Sequence, residues 1–203
     1  MWELYDALLA GLPRGGTISR AIPGERWTLV ENDLGGSGYA MTTEGDTVPA
    51  HFPNGIEGMR IKVAAGAAKS WNLMEAGLGI AAINSFYNTP ERMAELGCAE
   101  PYDNYCTRGL DFAGRTVGLI GHLRMPPGTL EAAKRVYILE RHPKPGDYPD
   151  SACEYLLPEC DTVLITGSSM VNKTLPRLLE LCKNAYVILT GPVSYTHLTL
   201  PTT

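Results

Sequence analysis

The sequence has no apolar run approaching the twenty or so residues that a membrane-spanning helix needs, so a helical span is excluded. It also lacks a basic stripe. With 17 lysines and arginines against 22 aspartates and glutamates, the net charge is −5. No cluster of cations is present to displace counterions from a phosphate backbone, which argues against a nucleic-acid partner. Paired cysteine motifs are missing too: Cys98, Cys106, Cys153, Cys160 and Cys182 form an odd set without a CxxC. That leaves no tetrahedral zinc spacing and reads as reduced, mostly buried thiols of a cytosolic chain. The opening residues, Met1-Trp2-Glu3-Leu4-Tyr5-Asp6, carry acids where a signal peptide would be basic and apolar, so a cytoplasmic location is expected.

What is present is ordinary globular composition, 44% apolar and 19% charged, in 203 residues. That length accommodates one large domain or two small ones. Trp2, Tyr5, Leu8 and Leu9 have helical spacing and stop at Gly11-Leu12-Pro13. Strand-like runs follow at Thr17–Ala21, Trp27–Glu31 and Tyr39–Thr43, divided by Pro23-Gly24 and by Leu34-Gly-Gly-Ser-Gly38, and predict an antiparallel meander. After a stretch rich in proline and glycine from Val48 to Gly58, Ser70 can cap a helix running to about Asn88. Its face of Leu73, Gly77, Ile80, Ala81, Asn84 and Tyr87 carries one misfit, the amide of Asn84. A buried unpaired amide costs about 1–3 kcal/mol, so Asn84 is expected to be a functional or interdomain group. Residues 102 to 110 read as a linker.

From Gly114 the pattern changes to short buried strands: Thr116–Ile120, Arg135–Leu139, Thr162–Ile165 and Ala185–Leu189. Such β-branched runs belong to a parallel sheet covered on both faces. Asn172 to Lys183 forms an amphipathic helix with Leu175, Leu178, Leu179 and Cys182 on one side and Pro176 in its first turn. Strand and helix alternate, which predicts parallel α/β structure with right-handed crossovers. The expected class is α/β: an N-terminal α+β meander domain over 1–101, then a Rossmann-like parallel-sheet domain over 102–192, incomplete at its C-terminus. Val193-Ser-Tyr-Thr-His-Leu-Thr-Leu-Pro-Thr-Thr203 has no charge and four threonines, and reads as translated adapter sequence in a metagenomic fragment. On that reading the natural chain continues past Pro192, and His197 is set aside, leaving His51, His122 and His142.

In open α/β sheets, ligands sit outside the carboxyl ends of the strands. Those ends nominate Gly121, His122, Glu140, Thr166, Gly167 and Gly191, with Asp147 in the acidic loop that follows Glu140 and Asn172 just before a helix. Glycines there let ligand atoms approach the backbone. Glu140 lies about twenty residues beyond the first strand's glycine, where dinucleotide folds keep the acid that takes a ribose hydroxyl. The first turn, Gly118-Leu-Ile-Gly-His-Leu-Arg-Met-Pro-Pro127, is not GxGxxG, so classical NAD binding is not expected. Each residue also has a plainer reading: His122 capping a carbonyl, Glu140 in a solvated loop, Asp147 in a turn, Thr166 as a strand residue, Asn172 as an N-cap.

Three stretches carry a family resemblance: Val136-Tyr-Ile-Leu-Glu140 through Gly146-Asp147-Tyr-Pro-Asp150, Leu157 to Thr166-Gly167, and Asn172-Lys-Thr174. With Gly38-Tyr-Ala-Met-Thr-Thr43 and Gly77 to Asn84-Ser85 in the first half, the chain resembles the prokaryotic heavy-metal chelation family. The resemblance implies an enolase-N-terminal-like domain followed by a Rossmann-like one. It also implies a ligand cleft between them, lined by the sheet edge, Thr174 and the Asn84 helix. Three functions stay open. A transition metal or its complex could be held by His122, Glu140 and Asp147, in which case binding would depend on pH because an imidazole must be neutral to ligate. An enzyme could act on a nucleoside-like or small anionic metabolite, with Glu140 as base or hydroxyl binder and Thr166 and Asn172 holding the ligand. The chain could also be an interaction domain. Partners are thus a small molecule or metal, with self-association left open.

Overall fold

The computed structural model describes residues 2–43, 48–89, 91–92 and 110–190. Cys98, Cys106, Gly191, most of the 102–110 linker and the 193–203 segment fall outside the described residues. The chain divides into two compact units, Met1–Ala99 with Gly167–Lys173, and Glu100–Thr166 with Thr174–Thr203. Among the described residues no helix is long and apolar enough to cross a membrane.

In unit 1, helix α1 (Glu3–Ala10) precedes the meander of β1 (Ile18–Pro23), β2 (Trp27–Asn32) and β3 (Ser37–Met41), antiparallel in the order β1-β2-β3. The period of two puts Thr28, Val30 and Asn32 of β2, and Gly38 and Ala40 of β3, on the buried face. Asn32 organises the turn between them. Its Oδ1 accepts from the Leu34 and Gly36 amides (2.9 and 3.1 Å), while its Nδ2 donates to the Ser85 carbonyl (3.0 Å). Pairing therefore begins at Ser37, opposite Glu31, and β3 starts earlier than the apolar run suggests.

Two elements were not foreseen, helix α2 (Ile61–Ala65) and a 3₁₀ turn at Gly66–Lys69, an alanine-rich pair that buries Ile61, Ala64, Ala65, Ala67 and Ala68. Helix α3 (Leu73–Tyr87) is capped by Asn72, whose side chain accepts from the Glu75 amide at 3.0 Å, rather than by Ser70. The Ser70 hydroxyl accepts from the Asn72 amide (3.1 Å) and shapes the turn before the helix. Small residues let α3 approach its neighbours on two sides: a Cβ on Gly79 would lie 2.0 Å from the Ala68 nitrogen, and one on Gly38 of β3 2.2 Å from the Ser85 nitrogen. Asn84, the misfit amide, donates to the Tyr39 carbonyl of edge strand β3 at 2.8 Å, a partner within unit 1. The segment Gly167–Lys173 comes from the second half of the sequence yet packs here, and Tyr5 donates its hydroxyl proton to the Met170 carbonyl (2.6 Å).

Unit 2 is a parallel sheet of β4 (Thr116–Ile120), β5 (Arg135–Glu140), β6 (Tyr148–Pro149), β7 (Thr162–Thr166) and β8 (Tyr186–Thr190), in the order β6-β5-β4-β7-β8. Strand β6 escaped the sequence reading because it is two exposed residues, Tyr148 and Pro149, on the edge where a proline's missing donor does no harm. No helix joins β4 to β5. Residues 121–134 form turns instead, since Pro126-Pro127-Gly128 cannot carry a helical ladder. Leu123, Met125, Leu130 and Ala133 of this connection nevertheless pack on the cluster of Phe112, Val117, Leu119, Leu164 and Ile188, covering the sheet as a helix would. Helix α4 (Cys153–Leu156) lies between 3₁₀ turns before β7. After β7 the helix expected over 172–183 is α6 (Leu175–Leu181), and a short helix that the sequence did not announce, α5 (Ser168–Val171), precedes it. They are broken at Lys173, whose φ is +68°.

Candidate functional site

Counted within unit 2, the strand order is 3-2-1-4-5, that of a dinucleotide-binding half-sheet, whose crevice opens where the order reverses. Here the reversal lies between β4 and β7. Gly121 stands just beyond β4 with φ +95°, a left-handed conformation that favours glycine, and a Cβ there would sit 3.2 Å from the Thr166 methyl at the end of β7. The backbone is thus bare at the switch point.

The adjoining side chains form a chain of charged and polar groups. Glu140, last in β5, accepts from the His122 amide (2.9 Å) through Oε1 and from the Arg141 amide (3.1 Å) through Oε2. The His122 ring is held at both ends, Nδ1 3.1 Å from Glu140 Oε1 and Nε2 2.8 Å from Asp147 Oδ2. The Asp147 side chain is only 6% exposed and also accepts from the Lys144 amide at 2.7 Å. An imidazole flanked by carboxylates at both nitrogens donates to both only as the imidazolium; as a neutral ring it donates to one.

Gly121, His122, Glu140, Asp147 and Thr166 are thereby gathered at one sheet edge. The remaining candidates lie elsewhere. Asn84, Gly167 and Asn172 group with unit 1. Gly167 precedes α5, and Asn172 closes α5 rather than capping the next helix. Thr174 stands at the N-cap position of α6. The Lys144 and Arg141 amides were missed as site groups, because backbone donors leave no mark in sequence.

These donors do not converge on a metal ion. Among the described residues no group of three or more His, Cys, Asp or Glu converges to hold an ion. The reason is visible at His122: the two carboxylates face opposite ring nitrogens, so His122, Glu140 and Asp147 do not meet at one point. The thiols supply no substitute. Cys153, Cys160 and Cys182 are free and buried, and burial pushes them up to about 11, 11 and 12, so they are protonated where a soft metal would need thiolate. As found, the described residues do not fit a bare ion. A dinucleotide meets a different obstacle, since β4 is followed by turns and offers no helix N-terminus to its pyrophosphate.

Two family models, each described as "Putative heavy-metal chelation", match the chain: DUF4213 over residues 5–87 and DUF364 over residues 109–200. The crystal structure of a DUF364-family protein of unknown function from Desulfitobacterium hafniense is similar at 38% identity and TM-score 0.82, covering 95% of this chain and 79% of that one. Another from Pyrococcus horikoshii is 28% identical with TM-score 0.71, covering 94% and 78%. An uncharacterised protein of Methanocaldococcus jannaschii is 29% identical over 141 residues, which are 63% of this chain and 50% of that protein. The chain thus spans about half the length of this curated relative.

Proposed function

The chain belongs to the DUF364 family, and we propose that it binds a small polar ligand at the carboxyl ends of β4, β5 and β7. A transition metal enters this site only inside a complex that brings ligands of its own. The observation carrying this reading is His122 between Glu140 and Asp147, beside the bare backbone of Gly121. A bare ion needs three or four protein donors at one point. A metal already held by a small chelator needs one or two, and the rest of its surface is recognised as any polar ligand is, by hydrogen bonds and close backbone approach. Chelation in the family's description would then refer to the ligand as much as to the protein.

A second reading is favoured by the place of Glu140. It ends the second strand of a 3-2-1-4-5 sheet, where an acid takes ribose hydroxyls, and its carboxylate has acceptor capacity beyond the two amides. A nucleoside-like ligand would fit that acceptor. The His122 and Asp147 pair would be its acid or base, the aspartate fixing the ring as second carboxylates commonly do.

Calorimetry separates these readings. Zinc, nickel and iron(II) as free ions, the same metals as citrate complexes, and adenosine are titrated into the wild type and a His122→Ala, Glu140→Ala double variant. The complexes are expected to bind more tightly than the free ions, with at least about a tenfold loss, roughly 1.4 kcal/mol, in the double variant. Binding of adenosine alone, lost in the same variant, would favour the second reading. Equal affinities in wild type and variant would remove the site.

A further inference from the structure

We propose that Lys173 is a binding position for an oxyanion, a phosphate or carboxylate group of a small molecule, separate from the His122 site and independent of the reading given there. Three observations converge on it. Among the described residues Lys173 is the one non-glycine with positive φ, +68°. It follows the last residue of α5 by two, where a helix ordinarily ends in glycine or asparagine because a Cβ disfavours the left-handed region. Nothing about terminating a helix calls for lysine here, and unfavourable backbone of this kind persists where a side chain is needed.

The second observation is its company. The half-buried ammonium donates to the Val171 carbonyl at 2.6 Å, a neutral acceptor. Among the described residues no carboxylate pairs with it, so its partial removal from water is offset only by that neutral acceptor. Burial brings the amine down to about 8, as expected of a cation removed from water without a counter-charge. The other five lysines, at positions 62, 69, 134, 144 and 183, carry no such combination of backbone and burial. Third, Lys173 closes the Gly167–Lys173 segment, which packs within unit 1 and is tied there by the Tyr5 hydroxyl donating to the Met170 carbonyl (2.6 Å), so its charge stands on anchored backbone. The unmet need of such a group is an anion, and a compact oxyanion can accept its remaining protons in place of water.

Inorganic phosphate is the probe, with citrate as the carboxylate arm and sodium chloride at matched ionic strength as the control. Phosphate or citrate is expected to raise the melting temperature of the wild type beyond the chloride control, and whichever does so identifies the anion class. Lys173→Gly should melt at or above the wild-type temperature without anion, since glycine relaxes the left-handed backbone, and should lose the anion's gain. Lys173→Arg, which keeps the charge, should retain part of it. A separate readout needs no variant: limited acylation at neutral pH, followed by peptide mass spectrometry. With the stabilising anion, phosphate or citrate, at tenfold above its dissociation constant, acylation of Lys173 should slow roughly tenfold while Lys62 and Lys183 are unaffected. An undiminished gain in Lys173→Gly, no gain over chloride with either anion, or equal acylation with and without the anion that raises the melting temperature would each overturn the assignment.

Discussion

Gly38→Ala is expected to destabilise unit 1 by about 3 kcal/mol or more, beyond the usual cost of an overpacked methyl. The reason lies in what the new Cβ would meet. It would stand 2.2 Å from the Ser85 nitrogen, 2.3 Å from the Ala81 oxygen and 2.7 Å from the Asn84 carbonyl carbon, all backbone of α3. A flexible side chain could step aside, but a helix must move as a body. Doing so would stretch the Asn84 hydrogen bond to Tyr39 of β3 and the Asn32 bonds from β2 to Ser85, which tie the helix to the sheet. Gly35→Ala serves as the control. It has φ +86° but nothing within 4 Å of its Cβ, so it should cost about 1–2 kcal/mol from backbone alone. Urea unfolding followed by a probe in unit 1 reads both. A Gly38→Ala midpoint equal to that of Gly35→Ala would show that the helix does not press on β3.

Glu75→Ala should cost unit 1 about 2–4 kcal/mol, from stranded donors and the void left behind. Glu75 is 2% exposed, and its carboxylate accepts from the Phe52 amide (2.6 Å) and lies 3.1 Å from His51 Nδ1, tying the loop around Phe52 to α3. Burial by itself would raise this carboxyl. The Ser70 hydroxyl, the Phe52 amide and the ring and amide of His51 together outweigh it and hold the group below its ordinary 4.5. The sign of the pH effect follows. Because the folded state binds this proton less readily than the unfolded chain, the contribution is complete above about 4.5 and is lost as pH falls through the lowered folded value. Glu75→Gln, which does not titrate, should flatten that acid limb relative to wild type. Equal pH dependence of the two, measured by thermal melts between pH 3 and 6, would show that Glu75 does not carry it.

The parts legible in sequence were those governed by periodicity. Alternation in β2 and the β-branched runs of β4, β7 and β8 announce their strands, because one buried face requires a period of two and two buried faces require an unbroken run. From the strands, the rule of carboxyl ends leads to Gly121, His122, Glu140 and Thr166 without any motif. What escaped depends on contacts distant in sequence. Strand β6 is two residues long, and its pairing is decided by β5. The turns of 121–134 cover the sheet with four scattered apolar residues instead of a helical stripe. Asn84 looked anomalous because its acceptor, the Tyr39 carbonyl, is a backbone atom 45 residues away. The metal set was read as three suitable donors. Which nitrogen of His122 each carboxylate faces is a matter of tertiary geometry, and it places Glu140 and Asp147 on opposite edges of the ring.

Native mass spectrometry of the protein purified without chelators would detect a small polar ligand held at the switch point of the unit 2 sheet. A noncovalent adduct of small-molecule mass is expected on the wild type, with any metal present inside that mass together with its own organic ligand. The adduct should be depleted at least about tenfold in the His122→Ala, Glu140→Ala variant, whose loss of about 1.4 kcal/mol of binding corresponds to that factor. A stoichiometric bare metal ion on the wild type, or an adduct retained undiminished by the double variant, would contradict a small polar ligand at this site.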